Sequence, residues 1–391
     1  MRIGALAVAT ALLAFVAAGC GGGGSSTTTS SASATTASSG GGGCGTVSIG
    51  MMAPITGAAA SIGTDQLHWA QFFVDEWNQM HTPKLKIVQG DTQLAPSQGS
   101  TVAQQFASNK SIVGVIGPAG SDVVSAVAPI LKKAGLAFIS GSATRVSLTD
   151  GSLKGYFFRD VPNDSVQGPT DASYMMSNLG VGKGDHVMVV DDQESYSTGL
   201  ADIVQAKLKA KGVNVDRESV SQKATDFSSL IGKVGSSTKV VFLPFQVASE
   251  AQLFAQQLKA QGKSAVAFGS DGTFDSSKFT TDGSYISFFA PDVTTIAADS
   301  GTVKKFHTKY PGATSPFGAP NYVAAQIYAQ AIQSACQNGD ATRSSVRQAV
   351  AGVDLSDSLL GGSMSFTGTG DVAGAKFHIF KIENGKYVTV Q

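Results

Sequence analysis

The chain has 391 residues, with 28 Lys or Arg against 28 Asp or Glu, so no net field draws it to nucleic acid or to an anionic membrane. Charged residues are only 14% of the chain and glycines number 46, which suits an α/β protein of two domains with many tight strand–helix turns. The five histidines, at 68, 81, 186, 307 and 378, make no metal-ligand spacing with one another or with a cysteine, so neither a metal nor a cofactor is expected.

The first segment in chain order is a leader. Arg2 precedes an apolar stretch from Ile3 to Ala18, too short for a spanning helix, which ends Ala17-Ala18-Gly19-Cys20. Those residues resemble the bacterial lipobox, which implies a signal peptide over 1–19 and a lipid on Cys20. Ordinary secretion with cleavage elsewhere is the other reading, and either one takes the chain out of the cytoplasm. Residues 21–43 are only Gly, Ser, Thr and Ala, so 20–45 reads as an anchored, flexible tether. Two cysteines remain, Cys44 and Cys336; in an exported chain they are one disulfide or two free thiols.

From 46 onward, short apolar runs alternate with amphipathic stretches. Strands are predicted over 47–50, 84–89, 112–117 and 137–140, with helices over 64–80, 98–108 and 121–134 between them. Leu67, Ala70, Val74 and Trp77 mark the buried face of the first helix. The unbroken apolar run 112–117 is the pattern of a parallel strand covered on both faces. After Tyr156-Phe157-Phe158-Arg159 the series restarts, with helices over 168–179, 199–211, 227–234 and 248–261 and strands over 186–191, 213–220, 239–243 and 265–269. Helices near 303–310 and 321–337 follow, and Asn384-Gly385 signals a hairpin between 377–381 and 387–390.

No Gly-x-Gly-x-x-Gly, phosphate loop or Gly-x-Ser-x-Gly elbow is present, and Ser236-Ser237-Thr238-Lys239 lacks the companions a catalytic Ser-x-x-Lys requires. Catalysis is therefore not expected. In open α/β folds, ligands sit beyond the C-terminal ends of strands. Gly117-Pro118-Ala119-Gly120-Ser121 and Gly141-Ser142-Ala143-Thr144 lie there; they form a carboxylate cradle, or they serve as plain caps and turns. In the second series, Asp191-Asp192 with Tyr196, and Ser270-Asp271-Gly272, offer acids and a tyrosine suited to an ammonium, although Asp191 or Asp192 equally suits a cap.

Taken in order, Ile49-Gly50 with Pro54-Ile55-Thr56-Gly57, Val115-Ile116-Gly117-Pro118, Ile139 to Thr144, Asp164-Ser165-Val166-Gln167-Gly168-Pro169, Asp192 to Leu200 and Asp226-Phe227-Ser228 are similar to type I periplasmic binding proteins of the Leu/Ile/Val-binding family. The resemblance spans 46–391 and implies an α/β fold of two doubly wound Rossmann-like lobes joined by a three-stranded hinge, crossing near Val161, Pro291 and Gly361. Lobe 1 would hold 46–162 and 291–362, and lobe 2 would hold 163–290 and 363–391. It further implies that Ser121 binds a ligand carboxylate, with Ser142, Ala143 and Thr144 in the neighbouring loop. Tyr196 and Asp271 would come from lobe 2, Asp271 standing where branched-chain binders carry Glu. Ile62 replaces a covering aromatic, and the Gln246 region lacks a tyrosine that some members have. Asp271 is expected to be ionised at neutral pH, since an unperturbed Asp titrates near about 3.9.

The family's early disulfide is absent here, because neither the Asp91 nor the Ala119 region carries Cys; any bridge must join Cys44 and Cys336. The implied function is extracytoplasmic capture of an aliphatic amino acid for an ABC permease, by a lipid-anchored monomer. A binder of an amide, urea or aromatic carboxylate, or a receptor's sensing module, is the alternative.

Overall fold

The apolar runs of the first series become a parallel sheet in the computed structural model, which describes residues 44–374 and 376–391. The signal peptide, Cys20 and most of the tether lie outside the described residues. β1 (Val47–Ala53), α1 (Ala60–Met80), β2 (Leu85–Asp91), α2 (Pro96–Ser108), β3 (Ile112–Ile116), α3 (Ser121–Lys133), β4 (Ala137–Ser140) and β5 (Phe157–Arg159) follow one another. The strand order is β2-β1-β3-β4-β5, all parallel. β1, β3 and β4 are buried along their whole length, which is why their sequences are nearly continuous apolar runs.

The second series gives α4 (Asp164–Asn178), β6 (His186–Asp191), α5 (Ser195–Ala210), β7 (Asn214–Ser219), α6 (Ser228–Gly232), β8 (Thr238–Leu243), α7 (Ala248–Ala260), β9 (Val266–Gly269) and β10 (Tyr285–Phe288). The chain then returns to lobe 1 with α8 (Ser300–Lys309), α9 (Gly318–Gln337), α10 (Arg343–Val350) and the two-residue strands β11 (Asp354–Leu355) and β12 (Met364–Ser365). It ends in lobe 2 as the hairpin β13 (His378–Glu383) and β14 (Lys386–Thr389). The lobe 2 sheet runs β14-β13-β10-β9-β8-β6-β7, antiparallel only where the hairpin joins it.

Each sheet is covered on both faces by apolar clusters. In lobe 1, α9 presses Tyr328 onto the sheet: its hydroxyl donates to the Ala137 carbonyl at 2.7 Å and accepts the Val115 N–H at 3.0 Å. Gly114 makes that approach feasible, because a Cβ there would lie 2.2 Å from the tyrosine ring. Cys44 and Cys336 are joined in a disulfide that fastens the start of β1 to the end of α9.

Leu360, beside the expected crossing at Gly361, packs against both the lobe 1 and the lobe 2 clusters. Leu359, Met364, Phe366 and Val372 pack in the lobe 1 cluster, and Phe377 is the next residue packed in lobe 2. The small β11–β12 pair is too short to leave a periodic signal. α1, α4 and α5 each begin one turn before the sequence pattern suggests. β10 and α10 have no counterpart in the sequence reading. Among the described residues, no helix is long and apolar enough to cross a membrane, and no cluster of His, Cys, Asp or Glu could hold a metal ion.

Candidate functional site

The C-terminal ends of both sheets face one cleft. A cavity lies there, lined by Pro54, Ala59, Ile62, Leu94, Ala119 and Phe317 on its apolar side. Its polar lining is Ser121, Ser142, Tyr196, Gln246 and Asp271. Six of the eight residues singled out as ligand contacts in the sequence thus meet at one place. Ala143 and Thr144 do not line it; they stand behind it, 1% and 0% exposed.

The lobe 1 end is built to donate. Gly117 and Gly120, at φ +90° and +81°, turn the chain sharply out of β3 into α3, whose first residue is Ser121. The N-terminus of that helix carries free N–H groups and a partial positive charge. The Ser121 hydroxyl accepts the Arg145 N–H at 3.2 Å, and the Ser142 hydroxyl accepts from Gln66 Nε2 at 3.3 Å. Both hydroxyl protons are therefore left to donate to an anion.

The lobe 2 end is acidic. Tyr196, on the first turn of α5, lies 2.5 Å from Asp271 Oδ1 and 2.6 Å from Ser270 Oγ. With one proton to give, it donates to the carboxylate. Burial pushes Asp271 up to about 6, which corrects the expectation of an ordinary aspartate: at pH 7 it is ionised, but only by about a unit. Behind it, one face of α4 presents Asp164, Gln167 and Asp171, all fully buried. Among the described residues neither Asp164 nor Asp171 forms a salt bridge, and the polar groups facing their carboxylates are the Thr144 and Ser287 hydroxyls. Burial, and after it the Asp271 charge, lifts Asp164 to about 7; burial drives Asp171 well above its ordinary value. Asp164 belonged to the Asp-Ser-x-Gln-Gly-Pro motif in the sequence, yet its part in the site went unread.

Asp191 and Asp192 are scaffold. Asp191 pairs with Arg217 at 2.7 Å and accepts from Ser219, while Asp192 accepts the backbone N–H groups of Glu194 and Gln246. The lobes touch around the cleft: the Ser195 N–H donates to Asp122 at 2.8 Å, Arg145 donates to the Ser195 carbonyl, and Ser61 donates to Asp275 at 3.0 Å. Ile62, from lobe 1, packs against the lobe 2 cluster.

A fully buried guanidinium braces this arrangement. Arg159 forms an ion pair with Asp371 at 2.6 Å and donates to the carbonyls of Ala143 and Arg145, each at 2.9 Å. It thereby fixes the loop behind Ser142 to the segment that carries Asp371. Despite burial, the Arg159 cation, with hydrogen bonds from Asn163, Arg159 itself and Thr149, holds Asp371 below the usual carboxylate range.

The periplasmic binding protein family model matches residues 46–386. A Leu/Ile/Val-binding protein homolog 3 of Brucella melitensis is 26% identical over 353 residues, covering 88% of this chain and 94% of the relative. The branched-chain amino acid transporter substrate-binding protein LivJ of Streptococcus pneumoniae, solved with isoleucine, shares the fold with a TM-score of 0.78 at 24% identity, over 88% of this chain and 99% of that one. A fatty acid ABC transporter substrate-binding protein of Thermomonospora curvata does so with a TM-score of 0.79 at 20% identity, over 89% and 92%.

Proposed function

The chain belongs to the periplasmic binding protein family, and from that premise we propose that it is the extracytoplasmic substrate-binding component of an ABC importer. Its ligand is an amino acid with a small aliphatic side chain, branched ones included, taken up between the lobes and passed to a membrane permease. The observation that carries this reading is the polarity of the cavity. A helix N-terminus with Ser121 and Ser142 on one lobe suits a carboxylate, and Asp271 with Tyr196 on the other suits an ammonium. Between them the wall of Ala59, Ile62, Leu94 and Phe317 suits an aliphatic side chain. Cys20 carries the lipid that keeps the domain at the membrane, the Cys44–Cys336 bridge fits an oxidising compartment, and the protein acts as a monomer without turning its ligand over.

Calorimetry with leucine, isoleucine and valine tests this. An ammonium bonded to ionised Asp271 contributes roughly 1.5–3 kcal/mol, so Asp271→Asn weakens binding about ten- to a hundredfold. Tight binding of a ligand without an amine, unchanged in that variant, would refute the amino-acid assignment and leave the fold untouched.

A further inference from the structure

Gln246 lines the cavity but has been given no part in holding the ligand: it comes from lobe 2, yet it reaches the lobe 1 end of the cavity. Its backbone N–H is fixed by Asp192 at 2.8 Å. Its side chain is 8% exposed, lines the cavity and makes no hydrogen bond among the described residues, with Oε1 fully buried. The amide lies directly over Gly120, the residue before α3, because a Cβ on Gly120 would meet Gln246 Nε2 at 3.0 Å. A free, buried amide from one lobe therefore overhangs the N-terminal end of a helix of the other.

We propose that Gln246 is the lobe 2 donor to the ligand's carboxylate, so that this one group of the ligand bonds to both lobes when the cleft is closed. The inference rests on the amino-acid reading above. An anion at the start of α3 receives the helix N–H groups and Ser121 from below and Gln246 Nε2 from above, so the same group bonds to both lobes at once. Asp122, the acid on the first turn of α3, is turned to the Ser195 N–H and does not compete for that position. The occupant that satisfies every donor is a carboxylate, and only a closed cleft presents them all. Gln246 is a positioning residue for closure as well as a contact.

Leucine binding to the full chain is measured for the wild type, Gln246→Met and Gln246→Glu, alongside ligand-free melting temperatures. Gln246→Met keeps the bulk and loses the donor, and leucine affinity falls about tenfold or more. Gln246→Glu puts a like charge beside the carboxylate and falls further, while both ligand-free proteins melt as the wild type does. Leucine bound equally well by both variants, or an affinity loss matched by lost ligand-free stability, overturns the role given to Gln246 alone. A wild type that ignores leucine and other free amino acids overturns the amino-acid reading, and this inference with it.

Discussion

Lowering the pH from 8 to 5 titrates two carboxylates that share the lobe 2 side of the cleft. Asp271 stands at about 6 and Asp164 at about 7, against an ordinary 3.8 for each. Because the folded values are raised, the folded chain binds these protons more readily than the unfolded chain. The stability the two groups contribute is fully present in acid, below about 4, and is lost as the pH rises through about 6 to 7. At pH 5 the folded values lie about one and two units above the solution pH. At about 1.4 kcal/mol per unit, the ligand-free protein gains roughly 4 kcal/mol relative to pH 8, as a pair rather than as two independent sites. Melting should shift upward by several degrees.

Ligand binding runs the other way, because an ammonium needs the carboxylate ionised. The ionised fraction of Asp271 drops from about nine-tenths at pH 7 to about one-tenth at pH 5, so leucine affinity falls about tenfold, and more steeply as Asp164 joins. Thermal melts without ligand and calorimetry with leucine, each across pH 5–8, read the two trends. Asp271→Asn is the control, since it removes the Asp271 titration and the charge that helps to raise Asp164, while Asp164 and Glu250, raised by burial, and His68 and His378, whose burial-lowered values act in the opposite sense on stability, titrate in both proteins. Equal pH slopes in wild type and variant, for melting and for binding, would refute the reasoning.

Two further outcomes are expected. Arg159→Met leaves Asp371 without its partner and strips donors from the Ala143 and Arg145 carbonyls, so urea unfolding should show a loss of about 3–5 kcal/mol; a loss under about 1 kcal/mol contradicts the brace described for it. Cys20→Ser should remove acyl label and membrane association together, and a variant that fractionates with membranes as the wild type does, beside an unlabelled wild type, rules out the anchor.

What the sequence made legible follows from what periodicity can see. β1, β3 and β4 are covered on both faces, so their burial is written as nearly continuous apolar runs. The starts of α1, α4 and α5 were placed one turn late for a common reason. Those first turns face the cleft or the other lobe, so they carry Ser61 and Ile62, Asp164 and Gln167, and Tyr196 and Ser197, instead of the apolar residues that signal a core. Asn163 bonding the Ser165 N–H was the available cue for α4. β10 was missed because Tyr285-Ile286-Ser287-Phe288 spends its one inward polar position on Gln167, at 3.0 Å, where an apolar residue would complete the strand pattern. α10 was missed because its side chains are mostly polar. It is held by a capping box at Thr342 and by Arg343, whose guanidinium donates to carbonyls at the ends of α2 and α3. The raised values of Asp164 and Asp271 were invisible for a deeper reason: they come from burial against residues far apart in the chain.

The same burial explains why closure should need a cation. Bringing the lobes together forms the Ser195–Asp122, Arg145–Ser195 and Ser61–Asp275 bonds, which are interchanges of protein–water for protein–protein hydrogen bonds and each contribute only about 1 kcal/mol net. Against them stand Asp164, Asp171 and Asp271, buried together with no Lys or Arg in a salt bridge to any of them among the described residues, only the more distant charges of Arg159 and Arg145 acting on Asp164. A buried carboxylate without a positive partner costs several kcal/mol or takes up a proton. An ammonium supplied by the ligand relieves that cost only while the cleft is shut around it, so the ligand's preference for the closed state is set mainly by its charge. The aliphatic wall then grades ligands by size, a weaker discrimination of about 1–3 kcal/mol for a methylene. On this account an uncharged molecule of leucine's shape enters the cleft without closing it.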